Sequence, residues 1–366
     1  MRRRGNNLDR RDHLAYVGSM KQVWHLAHRV QARVKEAQRR ARFSRKIQHL
    51  QGPRSLDAAP GEVLAIVLVR NGSYYMDVFF DHYEKMGVRH FAFVDNGSSD
   101  DTLARLRDRP GVIVDQCDLP LAEYEDLLRQ YPAQTYGTHR WCLYVDMDEL
   151  FDFPGRDVLG IAGLIRILEA QGATALMAQM LEMFPKETLQ DVAHLSFAEA
   201  VERFQYFDIN HVRKLDYYDA ETPFADLLKD NTVPDPALQI YFGGVRGKVF
   251  GENCCLTKHP LIFNGTDVTP APHPHLSMGV RCADFTALLK HYKFAGNTVR
   301  RDVETLARGD LDHGEDAARV AVLSNTPQLS LFSLDARPWN RIELLVRAGF
   351  LVGSERFSAH LERARQ

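Results

Sequence analysis

Two aspartates stand two residues apart directly after an apolar segment. Residues 141–145 read Trp-Cys-Leu-Tyr-Val, and Asp146, Met147, Asp148 and Glu149 follow. Side chains two apart share a face of a strand, and a slight turn at Met147 would converge both carboxylates on one ion, with Glu149 pointing elsewhere. Mg²⁺ and Mn²⁺ prefer oxygen ligands and leave positions for substrate phosphates. The segment predicts a divalent-cation site, and an acidic loop after a strand is the alternative interpretation.

Three apolar runs predict strands of one sheet. Residues 63–69 form a continuous apolar run, as expected of a strand buried on both faces, and residues 90–94 and 112–114 are two shorter predicted strands. Strands that alternate with helices form a parallel sheet with right-handed crossovers, and such sheets bind ligands beyond the carboxyl ends of their strands. Arg70 and Asp95 follow strand ends, as the paired aspartates do.

Apolar residues at helical spacing predict the intervening helices. A helix is predicted over 74–86 with Ser73 as its cap, and a second over 101–108. A last amphipathic helix is predicted over 340–350 and is closed by Gly349. The chain is therefore expected to belong to the α/β class.

Four ordered motifs resemble those of family 2 glycosyltransferases. In that family a first strand leads into Arg-Asn-Glu, a second into Asp-Asn-x-Ser-x-Asp-x-Thr, and a later segment reads Trp-x-x-x-x-Asp-x-Asp-Glu. The matching segments here are Val69-Arg70-Asn71, His82 to Gly87, Asp95 to Thr102, and Trp141 to Glu149. One departure is Gly72, where the family usually carries an acid. Further segments resemble the family up to about residue 320, namely Gly243 to Arg246, Lys258 to Ile262, Leu288 to Phe294, and Arg308 to Gly314.

The resemblance implies a fold, a reaction and a metal. The fold is GT-A, a Rossmann-like, mostly parallel central sheet flanked by helices. The reaction moves a sugar from a nucleotide-diphosphate sugar to an acceptor hydroxyl, in polysaccharide or glycoconjugate assembly. Mn²⁺ or Mg²⁺ would bridge the diphosphate and neutralise the charge that develops on it. On this basis Asp148 is the direct metal ligand, and Asp146 contacts the ribose or the metal shell.

The resemblance also suggests donor-binding residues. Asp95 would hydrogen-bond the base or ribose, and Arg70, Asn71 and Arg140 would bind the nucleotide or its phosphates, because guanidinium groups match phosphate oxygens. Arg246 follows two glycines that let backbone approach a ligand, and it would contact the pyrophosphate or the acceptor. Ordinary ion-paired arginines are the alternative interpretation.

Two histidines and one glutamate complete the predicted site. His291, in an otherwise apolar strand, is the favoured third metal ligand, and His275 is the second choice. Structural histidines are the alternative. For an inverting reaction a carboxylate must accept the hydroxyl proton, and Glu182 is ranked above Asp208 and Glu252 for this catalytic role. An ion-paired glutamate is the alternative for Glu182.

Charge is unevenly distributed along the chain. Residues 1–55 contain 15 Lys and Arg against 3 Asp and Glu, whereas the remainder contains 31 against 45. We therefore expect a basic helical N-terminal extension (1–57), a GT-A domain (58–300) and a helical C-terminal extension (301–366). The first part also carries apolar residues at helical spacing: Tyr16, Met20, Val23, Trp24, Leu26, Val30 and Val34.

The basic charge of residues 1–55 predicts an anionic binding partner. This segment would lie on an anionic membrane, where a lipid-linked acceptor is found, or pack on the acidic body or a partner subunit. Glycans and proteins are the other expected acceptors, and the acidic remainder disfavours nucleic acid. With no secretory leader and no run of 18 apolar residues, the protein is expected in the cytoplasm or on the inner face of a membrane. The five cysteines are expected to be free thiols.

Two other classes of function remain open at this point. A nucleotidyltransferase would also hold a metal on an α/β sheet, but it should carry a glycine-rich, lysine-bearing loop after the first strand, and aromatic residues follow Gly72 instead. A non-catalytic sugar-binding or partner-binding relative is the third possibility, and the intact Asp-x-Asp motif argues against it.

Overall fold

The computed structural model describes the backbone of residues 9–59, 61–309 and 315–365 and the side chains of residues 28–59, 61–309 and 316–365. The chain divides into two units, Met1–Ile47 and Gln48–Gln366. In the first unit, α1 (Asp9–Lys46) is a helix of 38 residues whose last turn is basic. Val30 and Val34 are exposed on it, whereas the other predicted apolar positions lie outside the described side chains: Tyr16, Met20, Val23, Trp24 and Leu26.

The second unit is built on nine strands of one sheet and six strands in small two-stranded sheets, counted over its described residues. The strands are β1 (Gln48–Gln51), β2 (Leu64–Val69), β3 (His90–Asp95), β4 (Val112–Gln116), β5 (Trp141–Tyr144), β6 (Glu149–Asp152), β7 (Ala175–Glu182), β8 (Tyr206–Phe207), β9 (Val212–Leu215), β10 (Ile240–Gly243), β11 (Thr257–Phe263), β12 (Thr269–His273), β13 (Leu276–Met278), β14 (Cys282–His291) and β15 (Arg337–Pro338).

The helices of this unit, as far as it is described, follow the strands in alternation through the first half. They are α2 (Met76–Met86), α3 (Thr102–Leu106), α4 (Leu121–Thr135), α5 (Arg156–Ala170), α6 (Leu189–Val192), α7 (Phe197–Arg203), α8 (Ala225–Leu228), α9 (Gly244–Phe250), α10 (Thr298–Arg308), α11 (Glu315–Asn325), α12 (Glu343–Arg347) and α13 (Glu355–Arg365). A short 3₁₀ helix, Ser73–Tyr75, precedes α2.

The large sheet is mixed and mostly parallel. Its strand order is β1-β4-β3-β2-β5-β11-β7-β14-β6. Six strands run in one direction: β2, β3, β4, β5, β7 and β14. Strand β2 is parallel to β3 and β5, β3 is parallel to β4, and β14 is parallel to β7. Strand β11 is antiparallel to both β5 and β7, so these two strands also share one direction. The edge strands β1 and β6 are antiparallel to their neighbours. The predicted α/β class is confirmed.

The sheet separates two apolar cores. In β2, Leu64 and Ile66 pack into one core, and Ala65, Val67 and Val69 pack into the other. Because alternate side chains of a strand point to opposite faces, a strand covered on both faces must be apolar throughout. The core that contains Leu64 and Ile66 also contains Ala133 of α4, and the core that contains Ala65 also contains residues of α2 and α5.

Several predicted boundaries differ from the structure. The segment 1–57, predicted as a helical extension, contains β1, which pairs with β4. The helices predicted over 101–108 and 340–350 are the shorter α3 and α12. Ser73 is not the helix cap, because it lies within the 3₁₀ helix and its hydroxyl donates to Asp100 Oδ2 at 2.6 Å. The five cysteines are free and buried, as predicted.

Candidate functional site

The segment between β5 and β6 crosses the carboxyl edge of the sheet. In strand order, β11, β7 and β14 lie between β5 and β6. Residues 145–148 must therefore pass the ends of these three strands, and the side chains of Asp146 and Asp148 meet residues from them. Asp148 is fixed by its carbonyl, which accepts from the Tyr292 amide at 2.9 Å. The topology thus delivers the Asp-x-Asp motif to the edge where a parallel sheet binds ligands.

Asp148 faces an imidazole that lies between two carboxylates. His291 is the last residue of β14 and pairs in register with Glu182 on β7. Its Nδ1 is 2.7 Å from Glu182 Oε1, and its Nε2 is 3.4 Å from Asp148 Oδ2. Burial disfavours the imidazolium, but the two carboxylates outweigh this effect and raise the pKa of His291 to about 9. Against the opposing effect of burial, His291 in turn holds the pKa values of Asp148 and Glu182 below their usual range.

These three side chains fit a divalent cation. Two adjacent ligand atoms about 2.1 Å from one octahedral ion are about 3.0 Å apart. His291 Nε2 and Asp148 Oδ2 are 3.4 Å apart, so a small movement of either side chain brings them to this separation. Metal-bound histidines commonly donate the other ring N–H to a carboxylate, as His291 can to Glu182. Glu182 Oε2 is also buried without a hydrogen-bond partner among the described residues. A cation here would replace the proton on Nε2.

Asp146 lies in a different electrostatic environment. Its carboxylate is 2.9 Å from Lys258 Nζ and 3.2 Å from a guanidinium nitrogen of Arg129. Lys258 Nζ is also 2.5 Å from Glu149 Oε1. The sequence predicts that Glu149 points away from Asp146. In the structure, both carboxylates contact the Lys258 ammonium. Burial opposes ionisation of Asp146, yet the two cations hold its pKa far below the usual range. A carboxylate with two bound cations is a poor direct metal ligand.

Positive side chains approach Asp148 from the C-terminal half. Lys293 follows His291 by two residues, and its Nζ makes no hydrogen bond or ion pair with any described residue, while burial lowers its pKa. Arg301 on α10 donates to Tyr75 Oη at 2.5 Å and also to the Lys293 carbonyl. Arg246 on α9 lies 3.6 Å from Glu182 Oε1. This concentration of positive charge beside Asp148 suits an anionic ligand.

Arg70, Asn71 and Asp95 lie at the same edge of the sheet, and two of them hold a loop together. Asp95 is buried and accepts from the amides of Gly97 and Ser98 and from the Gln116 amide nitrogen. Asn71 has a positive φ of 54°, and its Oδ1 accepts from the Ser99 amide at 2.8 Å. The side chain of Arg70 is exposed. The hydrogen bonds of Asp95 and Asn71 organise the loop after β3.

Gly72 stands where family 2 glycosyltransferases usually carry an acid, and its surroundings leave little room for a side chain. A Cβ at this position would lie 2.5 Å from a methyl carbon of Val69 and 3.4 Å from Met147. The Gly72 amide donates to Thr102 Oγ1 at 2.7 Å, which brings the loop after β2 against α3. An acidic side chain would therefore require Val69 to move.

Two predicted site residues lie apart from Asp148 and His291. Arg140 precedes β5, at the end of the strand opposite Asp146, and donates to the Ala58 carbonyl at 3.3 Å. Arg140 therefore lies at the opposite edge of the sheet from Asp146 and Asp148. His275 Nδ1 is 3.1 Å from the Thr257 carbonyl, and burial followed by the charge of Lys258 lowers its pKa well below the usual value. His275 thus lies beside Lys258, and among the described residues it forms no hydrogen bond or ion pair with Asp148 or His291.

Other residues of the site were given no role from the sequence. Lys258 is the second residue of β11, and Arg129 lies on the buried face of α4. Neither has a local signal, because Lys258 stands beside His259 and α4 also carries Glu123, Glu125 and Asp126. Arg319 differs from them: it is the single cation in the apolar run Ala-Ala-Arg-Val-Ala-Val-Leu, and this signal could have identified it.

A second group of potential ligands lies elsewhere. Among the described residues, ligand atoms of Asp208, His211 and Asp335 lie within 4.8 Å of one another. Lys248 Nζ, however, is 3.3 Å from Asp208 Oδ2 and 3.1 Å from Asp335 Oδ2. The ammonium thus supplies the positive charge that a metal would bring, and Asp335 and His211 are exposed.

Comparison with known proteins gives no match: no protein-family model matches the sequence, and no curated protein does. The likeness to family 2 glycosyltransferases therefore rests on the sequence motifs. None of the helices that the structure describes has both the length and the apolar character needed to cross a membrane.

Proposed function

We propose that this chain is a metal-dependent glycosyltransferase with a GT-A fold, related to family 2, that moves a sugar from a nucleotide-diphosphate sugar to an acceptor hydroxyl. One observation carries the proposal: Asp148 and His291 stand 3.4 Å apart at the carboxyl edge of the sheet, and His291 is oriented by the buried Glu182. Lys293 and Arg301 supply positive charge on the same side, where an anionic diphosphate would bind. The polysaccharide or glycoconjugate acceptor is part of the same proposal.

The reaction requires charge neutralisation at the leaving group. The acceptor oxygen forms a bond to the anomeric carbon, the bond from that carbon to the diphosphate breaks with its electron pair, and the hydroxyl proton passes to a base. Mn²⁺ or Mg²⁺ held by Asp148 and His291 would supply positive charge to the departing diphosphate. Lys293 and Arg301 would bind phosphate oxygens, since preorganised cations stabilise developing negative charge without reorganising.

Glu182 receives a role that differs from the sequence-based prediction, and Asp146 keeps one of its two predicted roles. Glu182 is buried and contacts His291 and Arg246, so we assign it to orienting the imidazole in place of accepting a proton from the acceptor. Asp146 is held by Lys258 and Arg129, so we assign it to the ribose side of the donor site. Direct metal ligation falls to Asp148 and His291.

Nucleotide-dependent thermal stabilisation tests this function. The protein would be screened with UDP, GDP, CDP and their common sugars, with and without Mn²⁺. We expect one nucleotide to raise the melting temperature only when Mn²⁺ is present, and we expect Asp148→Asn to abolish the effect. Asp335→Asn is the matched control, because it removes a carboxylate from the other group of potential ligands and should leave the effect intact. Loss of the effect in Asp335→Asn but not in Asp148→Asn would contradict the assignment.

We further propose that α1 binds an anionic membrane surface, where a lipid-linked acceptor would be found. Residues 28–46 carry eight Lys and Arg against the single Glu36, and each basic residue near an anionic surface contributes about 1 kcal/mol. Replacing both exposed residues Arg29 and Arg33 by glutamine should weaken binding to phosphatidylglycerol vesicles about 30-fold in a flotation assay. Equal binding to neutral phosphatidylcholine vesicles would contradict the proposal.

A further inference from the structure

The C-terminal helices reach the candidate metal ligands through buried ion pairs. Arg319 on α11 is 1% exposed and is surrounded by carboxylates. One guanidinium nitrogen is 2.6 Å from Glu252 Oε1, and another is 2.9 Å from Asp302 Oδ2 on α10. Asp316, one turn earlier on α11, is a third partner. Arg319 therefore ties α10 and α11 to Glu252, which follows α9.

Glu252 contacts both Arg319 and Arg246. Its Oε1 accepts from Arg319, and its Oε2 accepts from Arg246 Nε at 2.6 Å and from an Arg246 terminal nitrogen at 2.5 Å. The remaining terminal nitrogen of Arg246 is 3.6 Å from Glu182 Oε1. Glu182 in turn bonds to His291. The ion pairs thus run without a gap from α11 to the imidazole.

The geometry indicates what Arg319 does within this series. A buried carboxylate with one arginine on each oxygen has no alternative orientation, because rotation would leave a buried charge unpaired. Glu252 Oε2 therefore holds two nitrogens of Arg246. As a result, the third nitrogen stays 3.6 Å from Glu182 Oε1 and does not reach hydrogen-bond distance. If Arg319 were absent, Glu252 and Arg246 could both reorient, and Arg246 could compete with His291 for Glu182 Oε1.

We propose that Arg319 is a positioning residue for the metal centre. Acting through Glu252 and Arg246, it keeps Glu182 bonded to His291 and so holds the imidazole in the orientation that binds a divalent cation with Asp148. This inference rests on the proposed function, because it concerns the same metal site. It also gives α11 a part in the site, in addition to the Arg301 side chain that α10 contributes.

Mn²⁺ affinity tests the inference without an assay of transfer. The dissociation constant would be measured from the electron paramagnetic resonance signal of free Mn²⁺, for the wild type, Arg319→Met, Glu182→Gln and the double variant. Outer-shell partners of metal ligands change affinity about 10- to 100-fold, so each single variant should bind at least about tenfold more weakly. Because both act through the same contact, the double variant should bind no more weakly than the weaker single variant.

Two further variants separate positioning from loss of fold. Arg319→Lys keeps the charge but not the guanidinium fork, and it should recover part of the affinity lost in Arg319→Met. Asp115→Asn is the control, because Asp115 is fully buried, accepts from Tyr136 Oη at 2.8 Å and belongs to β4, away from this series. Asp115→Asn should leave Mn²⁺ affinity unchanged, and circular dichroism would show that every variant is folded.

Three results would overturn the inference. Wild-type Mn²⁺ affinity in Arg319→Met, together with weakened binding in Asp148→Asn, would refute it and leave the proposed function intact. Losses that multiply in the Arg319→Met, Glu182→Gln double variant would show that the two residues act separately. A wild-type protein with no Mn²⁺ affinity would refute the metal site and this inference together.

Discussion

Replacing Lys258 by methionine should destabilise the protein strongly at neutral pH and less in acid. Lys258 is 5% exposed and Glu149 is 1% exposed, and the ammonium lies 2.5 Å from Glu149 Oε1 and 2.9 Å from Asp146 Oδ2. Methionine retains most of the side-chain volume but removes the charge that both carboxylates share. Arg129 still neutralises Asp146, so the unpaired charge falls mainly on Glu149.

The magnitude follows from the cost of a buried, unpaired carboxylate. Removing one partner of a buried ion pair costs about 3–5 kcal/mol. Burial, and then the charge of Asp146, already raises the pKa of Glu149 against the opposing effect of Lys258, and without the ammonium this pKa rises further. Folded Glu149 then binds a proton that the unfolded chain does not, so stability increases as pH falls. At about 1.4 kcal/mol per pH unit, acidification from pH 7.5 to 5.5 should recover up to about 2.7 kcal/mol.

Urea unfolding followed by circular dichroism at the two pH values measures this recovery, as the difference between variant and wild type. Lys290→Met is the control, because Lys290 Nζ is 3.5 Å from Asp152, which keeps a second partner in Arg156 at 3.5 Å. The control should lose less free energy of unfolding than Lys258→Met and should show little recovery in acid. An equal loss in Lys258→Met at both pH values, or a loss below about 1 kcal/mol at pH 7.5, would refute the reasoning.

Two further predictions concern stability away from the site. Burial lowers the pKa of His259 to about 4. Between about pH 6.5 and pH 4, His259 is therefore protonated in the unfolded chain but neutral in the folded protein. The free energy of unfolding accordingly decreases as the pH is lowered through this range. Between pH 7.5 and 4.5 the wild type should lose about 2.5 kcal/mol more than His259→Asn in denaturant unfolding, and equal losses would contradict this. Gly111→Ala should cost about 1–3 kcal/mol more than Gly172→Ala, because both glycines have positive φ but only at Gly111 would a Cβ lie 2.1 Å from the Arg89 carbonyl oxygen. Similar unfolding midpoints for the two alanine variants would contradict this expectation, because they would show that the backbone at residue 111 moves to accommodate a Cβ.

The sequence identifies elements whose own composition determines them. The runs at 63–69, 90–94 and 112–114 became β2, β3 and β4, since apolar residues bounded by turns have few alternatives to a buried strand. By contrast, β1 has the sequence Gln-His-Leu-Gln, and its pairing with β4 decides its conformation. The helix predicted over 340–350 begins later and ends earlier, as α12 (Glu343–Arg347), with Ile342 and Ala348 as its caps.

The candidate site divides in the same way. The Asp-x-Asp motif and His291 have local signatures, an acidic pair after an apolar strand and a polar residue within one. The partners of Asp146 and Glu149 have no such signature, because Lys258 lies 112 and 109 residues away in sequence. Only the position of β11 beside β5 brings the ammonium to these carboxylates, and strand order is not encoded in any local pattern.

The crossing of the sheet edge by residues 145–148 has a consequence for biosynthesis. Asp148 is made 143 residues before His291, and at about 5–20 residues per second the ribosome needs on the order of ten seconds to add them. Of the three strands that the segment passes, β14 is made last, so until then the Asp-x-Asp segment has no complete edge to cross and His291 cannot face Asp148. Such long sequence separation gives the site a high contact order, which slows folding. Cation binding by a nascent chain would therefore report that the last strand of the sheet is in place.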